Sequence, residues 1–437
     1  MTTKPFRIRT VTAFVTLDTL DFNDGGDLEE KIGQCSTLLR EVESRLVKNG
    51  YEVQTVRIAT NPFGEWLVPS VSGGDSLTAD DKAVIVARVQ RLNGVLAQHD
   101  INFCSLGPSI YPEHTSSICP IIVSAFPGRL SCSAVIEPCD VTASLAAAKC
   151  VKLISSMDAS VDWKSLIGDG SHLAGGLGNF RFCTTSCVRS GIPFFPAAKA
   201  PSKGLGNDNC IGFALGLENG AYARQLLKEA KSIVNVKRVF SDSWKADLLP
   251  IQEICFDYVN STKEATCLKH RIEYLGIDTS LNPSLDQGGS VARAIESLEE
   301  VKGKFGRGAL AAAAAITTSL QSIPDVLTTG YCGLMLPVLE DHRLAELGTL
   351  TGSRDRLDIQ KLLCISSVCG VGVDTVPVPG DSSDENLSSL MLDVAALAGR
   401  WNKQLSCRVF PVPNQKAGDT TQFDSPYLCN SHIFSLD

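Results

Sequence analysis

The chain has 437 residues, enough for two or three domains or for one large barrel with a smaller partner. Hydrophobic residues make up 44% and charged residues 20%, a balance that supplies a sizeable core. The net charge of -8 and the lack of a basic cluster interleaved with aromatics argue against a nucleic-acid partner, and no apolar run reaches the roughly 18 residues of a membrane helix.

The first 160 or so residues alternate strand and helix, as α/β layers do. A strand is predicted within residues 6–20, with Ile8, Thr10 and Thr12 facing one way and Val11 and Ala13 the other. It stands where a signal peptide would, but Asp18 and Asp21 interrupt any long apolar core. An amphipathic helix follows over 28–48, with Ile32, Leu38, Leu39, Val42 and Leu46 near helical spacing and Gly50 as its stop. Residues 51–59 read as a strand, 77–99 as a helix, 101–106 and 130–136 as strands, and 141–157 as a helix.

The glycine-rich stretch IGDGSHLAGGLGNF, residues 167–180, is the best candidate for a boundary or a long functional loop. It divides the chain into an N-terminal α/β half, 1–165, and a C-terminal α/β half, 166–437. Its His172 is a weak candidate for acid–base work. Beyond it come FRFCTTS and CIGFALGLE as strands, GIPFFPAA as an apolar segment, a helix over 219–234 and a polar helical region to Lys269. In the last third, 271–277 reads as a strand ending in Asp278. Ser290 opens a helix, 309–323 is a small-residue helix, and 357–373 passes from helix to strand. Ser382 with Glu385 suggests a capping box, and 405–412 is a further strand.

Several strand-like runs here finish at a glycine or proline with a carboxylate beside them: GIDTSLNP (Asp278), LMLPVLED (Glu340, Asp341), GVGVDTVPVPGD (Asp374, Asp381) and NQKAGDTTQFD (Asp419, Asp424). An ionised carboxylate among apolar residues costs several kcal/mol unless it finds a cation, a metal or backbone donors. The alternative for each is a cap on its own turn, the commoner role of aspartate there. Four repeats of one arrangement raise the expectation that two or more share a pocket at strand ends.

The sixteen cysteines sit mostly in apolar runs and read as small buried hydrophobes in a reducing cytoplasm. Neither the C-x3-C of Cys183 and Cys187 nor the C-x4-C of Cys364 and Cys369 has zinc spacing. Cys332, between glycines in GYCGLMLP, could expose a thiol on a tight loop, against the commoner reading of a buried residue. His342 beside Glu340 and Asp341 could join them on a divalent ion. Gly288, Gly289 and Ser290, opening a helix, could seat an anion. No dinucleotide fingerprint, P-loop or nucleophile elbow is present.

The segments IRTVT, IDTSLNPSLDQGGSVARAIE, YCGLMLPVLED, SSVCGVGVDTVPVPGD and KAGDTTQFDSPYLCNS together resemble an uncharacterised domain-of-unknown-function family, number seven-eleven. The likeness spans nearly the whole chain. It implies an α/β fold like the barrel of pyruvate formate-lyase and anaerobic ribonucleotide reductase, and bacterial relatives resemble partners of small ACT-type amino-acid-sensing proteins. The tail SPYLCNSHIFSLD lacks the glycine setting of a glycyl radical, so that chemistry is not expected. The resemblance carries over to Asp278, Glu340, Asp341, Asp374 and Asp419 as positions in matching motifs.

The expectation is therefore a cytoplasmic barrel protein that takes a small polar metabolite, with a homo-oligomer as one option for its assembly. Asp278, Glu340 and Asp374 would supply acid–base groups or bind a divalent cation, with Cys332 near the chemistry. Cys183, Asp341, Asp419 and the Gly288–Ser290 turn would bind. The alternative is a ligand-binding or regulatory protein that keeps the fold without catalysis.

Overall fold

The computed structural model describes residues 4–69, 77–157, 161–203, 210–263, 270–286, 288–302, 305–349 and 356–436. In chain order the elements are β1 (Arg7–Val15), α1 (Leu28–Lys48), β2 (Val56–Thr60), α2 (Ala79–Gln98), β3 (Cys104–Ser109), α3 (Pro112–Ser117), α4 (Cys119–Ser124), β4 (Leu130–Val135) and α5 (Val141–Ser155). Then come β5 (Phe182–Ser186), β6 (Cys210–Glu218), α6 (Gly220–Ala230), α7 (Ile233–Val239), α8 (Lys245–Lys263), β7 (Arg271–Asp278), α9 (Val291–Ile295) and α10 (Ala309–Leu320). The last are α11 (His342–Gly348), α12 (Ile359–Ser366), β8 (Val371–Pro379), α13 (Asp384–Trp401) and β9 (Leu405–Val412).

The fold is α/β. The strands form one nine-stranded sheet in the order β7-β6-β1-β2-β3-β4-β5-β9-β8. Strands β1 to β5 are mutually parallel. The pairs β6–β7 and β8–β9 are also parallel inside themselves, and each joins the central five antiparallel, through β1 and through β5. The closed barrel expected from the resemblance is not seen as a continuous ladder, because β7 and β8 remain the two ends of the sheet. Isolated bridges connect Thr328 and Leu334 to Ile277 and Leu281, and Pro337 to Asp374, so residues 328–337 touch chain from both ends.

The two faces of β1 show what the alternation buries. Val11, Ala13 and Val15 point into the main core with the apolar stripe of α1, namely Ile32, Leu38, Leu39, Val42 and Leu46. Thr12 and Phe14 face the other way, against the segment GIPFFPAA: the Thr12 hydroxyl donates to the Pro193 carbonyl at 2.8 Å, and Phe14 packs on Ala198 and Ala200. Ile8 belongs with the main core rather than with Thr10 and Thr12, because a bulge between Ile8 and Thr10 shifts the alternation by one residue.

The GIPFFPAA segment crosses the inner face of the sheet. Ser105 donates to the carbonyls of Pro196 and Ala198, and the Ala200 amide to Thr60. Pro193 and Pro196 carry no amide hydrogen, so this apolar stretch packs against the strands instead of joining them.

Other expectations shift locally. Residues 167–180 become 3-10 turns leading into β5, with a kink at Ala174–Gly176. The single helix over 219–234 is two, α6 and α7, separated at Lys231, whose φ is +60°. The predicted extension of a helix into 264–269 lies outside the described residues. The cap of α13 is Ser383, which accepts from the Asn386 amide at 3.1 Å, while Ser382 turns back to the Pro379 carbonyl. No helix among the described residues is long and apolar enough to cross a membrane.

Candidate functional site

Because β1 to β5 are parallel, they all start at one edge of the sheet. Because β6 to β9 run against them, these four end at that same edge. The sequence places cations at the starts: Arg7 and Arg9 in β1, Arg57 in β2, and Arg129 and Arg181 immediately before β4 and β5. The returning strands and the loops behind them bring carboxylates: Glu218 ends β6, Asp374 lies in β8, and Glu340 follows the 328–337 stretch. These side chains line one cavity of about 790 Å³.

Asp374 is not at a strand end, as its sequence context suggested. Strand β8 continues through it to Pro379. Val373 pairs with Cys407 and Val376 with Val409, so Asp374 and Thr375 together oppose Arg408. This bulge, with Thr375 at φ +45°, lets a carboxylate sit inside an otherwise apolar run and still face a polar hollow. Arg408 donates to both oxygens of Asp374, from Nε at 2.7 Å and from Nη2 at 3.1 Å. The same Nη2 reaches Glu340 Oε1 at 2.9 Å, and Arg9 Nη2 reaches Glu340 Oε2 at 3.3 Å. The Arg408 guanidinium also lies 5.0 Å from the Phe180 ring centre.

Two carboxylates distant in sequence therefore meet on one arginine in the cavity wall. Burial pushes the Glu340 carboxyl up from its ordinary range, while Arg408 and Arg9 pull it down. The Arg408 guanidinium is held charged by Asp374 and Glu340 against the effect of its own burial. On the far side, burial and the nearby Arg181 push the His172 imidazole down to about 4. Its Nε2 lies 3.1 Å from the Ser124 carbonyl, and its Nδ1 is buried without a partner.

The other expected residues are placed as follows. Asp278 is fully buried but does not line the cavity. It accepts from the Ser280 amide and hydroxyl and from the amides of Tyr331 and Cys332, at 2.5 to 3.1 Å, which fixes the loop after β7. Cys332 is buried beside it at φ +46°, with burial pushing its thiol up to about 12, so the exposed nucleophile weighed from sequence is not formed. Asp341 caps α11 and also accepts from the Ser290 hydroxyl and the Ala292 amide of α9. Ser290 is thus spent on helix capping, and neither it nor Gly288 and Gly289 lines the cavity. Asp419 is exposed and accepts from the Lys416 amide, a turn of its own. Cys183, in β5, does line the cavity, with burial holding its thiol well above the ordinary range.

His342 lies at the start of α11 and does not join Glu340 and Asp341 on an ion site. Among the described residues no group of three or more His, Cys, Asp or Glu side chains is placed to hold a metal.

The arginines are what sequence reasoning passed over. RIRTV, VRIAT, GRLSC and FRFCT all set an arginine at or near the head of an apolar strand-like run. The recurrence was visible. That the heads coincide in space follows only from the parallel pairing of the strands.

Residues 1–425 match the family described as Uncharacterised ACR (DUF711). The chain belongs to this family. The chain is similar to curated proteins that carry the name UPF0210 protein. That of Lacticaseibacillus casei (strain BL23) is 31% identical over 151 residues, 34% of this chain and 32% of the relative. That of Limosilactobacillus reuteri (strain DSM 20016) is 32% identical over an equal length. The one of Listeria monocytogenes serotype 4a (strain HCC23) is 28% identical over 247 residues, 51% of this chain and 53% of the relative. The aligned part of this DUF711 chain thus spans from a third to about half the length of these relatives.

Proposed function

We propose that the cavity is a ligand site in which this protein acts as an enzyme on a small polar metabolite. The observation that carries the reading is the meeting of Glu340 and Asp374 on Arg408 in the wall of a roughly 790 Å³ hollow. Glu340 is the proton carrier: burial raises its affinity for a proton, so it can serve as an acid as well as a base. Asp374 acts through Arg408 and is a positioning residue. A divalent cation is the less supported form of the mechanism, since Arg408 and Arg9 already engage both carboxylates. The pyruvate formate-lyase-like barrel also belongs here as a proposal. Its support is the pair of antiparallel seams around five parallel strands and the bridges of residues 328–337 to both ends of the sheet. The cytoplasmic setting is supported by the free cysteines of the described chain.

The second reading, ligand binding without catalysis, is favoured by the full engagement of both carboxylates by arginine. One experiment separates the two. The protein is screened by thermal shift against small polar metabolites, and each stabilising compound is then followed by NMR for conversion. An enzyme converts a hit, and Glu340→Gln lowers the rate by about 100-fold or more, the usual scale for a lost general acid or base. Binding without turnover supports the regulatory reading. No stabilising compound at all, with elemental analysis showing no metal, removes the cavity from consideration as a site.

A further inference from the structure

The arginines of the cavity are not equivalent. Arg7 and Arg9 are paired with Glu218, and Arg9 and Arg408 with Glu340. Arg57 has no carboxylate partner among the described residues. Its one side-chain bond runs from Nε to the Thr55 hydroxyl at 2.9 Å. Its guanidinium lies over two rings, 5.1 Å from the centre of Phe103 and 5.2 Å from that of Phe195, and all three residues line the cavity.

That arrangement is costly without a counter-charge. Burial and the neighbouring Arg9 act against the charged form and pull Arg57 down to about 9. Arg408 adds to the repulsion, and Glu340 opposes it. A guanidinium held over aromatic rings presents its terminal N–H groups as a planar fork, the geometry that suits a carboxylate or a phosphate. Arg408 is the internal control. It too lies over a ring, that of Phe180, yet its fork is filled by Asp374 and Glu340.

We propose that Arg57, held over the rings of Phe103 and Phe195, is the docking point for an anionic group, carboxylate or phosphate, of the ligand. The proposal rests on the cavity being a ligand site and names the class of ligand it takes: an anion whose remainder extends over Glu340 and Arg408. Arg129 and Arg181, also without carboxylate partners among the described residues, line the same cavity and make it more attractive to anions.

The test uses the full chain with inorganic phosphate and with malonate, each titrated at constant ionic strength against sodium chloride. Thermal shift and calorimetry are read together. The expected result is a saturable rise in Tm with at least one of the two anions. Arg57→Gln weakens binding about tenfold or more, in line with the loss of a charge-assisted pair, and Arg57→Lys keeps part of it. Arg57→Gln melts in chloride no lower than the parent, because it removes an uncompensated cation, so a lost shift is not a lost fold. Glu340→Gln and Asp374→Asn keep the shift or strengthen it by freeing arginines. Response to phosphate alone or to malonate alone supports the site and tells the two sources apart. A parent protein that responds to neither anion overturns the proposal while leaving the metabolite screen to judge the cavity. Full response in Arg57→Gln, or equal loss in Asp374→Asn, overturns it as well, since the anion would then sit elsewhere.

Discussion

Arg408 shows how one side chain can hold several charges in place. Its guanidinium and the Glu340 carboxylate are buried, and the Asp374 carboxylate is partly buried. Such a cluster adds little net stability when complete, because desolvation offsets the attraction. Removing the cation alone is another matter. Arg408→Met leaves Asp374 without its cation and Glu340 with Arg9 alone, and is expected to cost about 3–5 kcal/mol in a denaturant titration near neutral pH. The sign of its pH dependence follows from Glu340. A carboxyl whose folded value is raised above its unfolded one stabilises most below the unfolded value and loses that contribution as pH rises through the folded one. The deficit of Arg408→Met therefore shrinks as the solution is acidified and widens toward alkaline pH; a pH-independent deficit would mean that the carboxylates are not the cause. Asp374 was legible in the sequence because a lone carboxylate in VCGVGVDTVPVP needs an explanation. Arg408 was not, because an arginine in LSCRVF reads equally well as a surface residue of a strand.

At the scale of elements, buried aspartates do work that a strand-end carboxylate can easily be mistaken for. Asp341 joins two short helices. It accepts from the Arg343 and Leu344 amides at the start of α11, and from the Ser290 hydroxyl and Ala292 amide at the start of α9. Helices of five and seven residues cannot sustain themselves, so the shared cap sets their relative position. Asp341→Ala is expected to lower stability by about 2–4 kcal/mol, the cost of a lost cap together with buried donors left unmet. Asp341→Asn should cost less, since it keeps an acceptor. Anion binding in the cavity should survive in either variant if folded, and its loss would show that α9 and α11 shape the site. Element positions were read well where periodicity is strong: α1 and β9 fall on the residues expected, 28–48 and 405–412. They were misread where one hydrogen bond decides. Ser382 and Ser383 are both good caps by type, and the choice between them rests on the turn back to Pro379.

For the molecule as a whole, the order of strands matters more than their identity. β1 to β4 come from the first 165 residues and occupy the middle of the sheet, while both flanks come from the rest of the chain. Residues 1–165 made alone would leave β1 and β4 as bare edges and expose the apolar face that α13 and β9 help to cover. That fragment is expected to show no cooperative melting transition, and the intact chain to show one. A sharp transition in the fragment would support an independent N-terminal domain. The sequence by itself determined the α/β class, most helices and strands, the family, and the suspicion attached to Glu340 and Asp374, because these depend on local periodicity and on residue type. Only the tertiary structure decided which carboxylates are capping groups and which face the cavity. It also decided that the heads of four separate strands, β1, β2, β4 and β5, place their arginines around one hollow, since pairing direction and register are set by contacts between residues far apart in the chain.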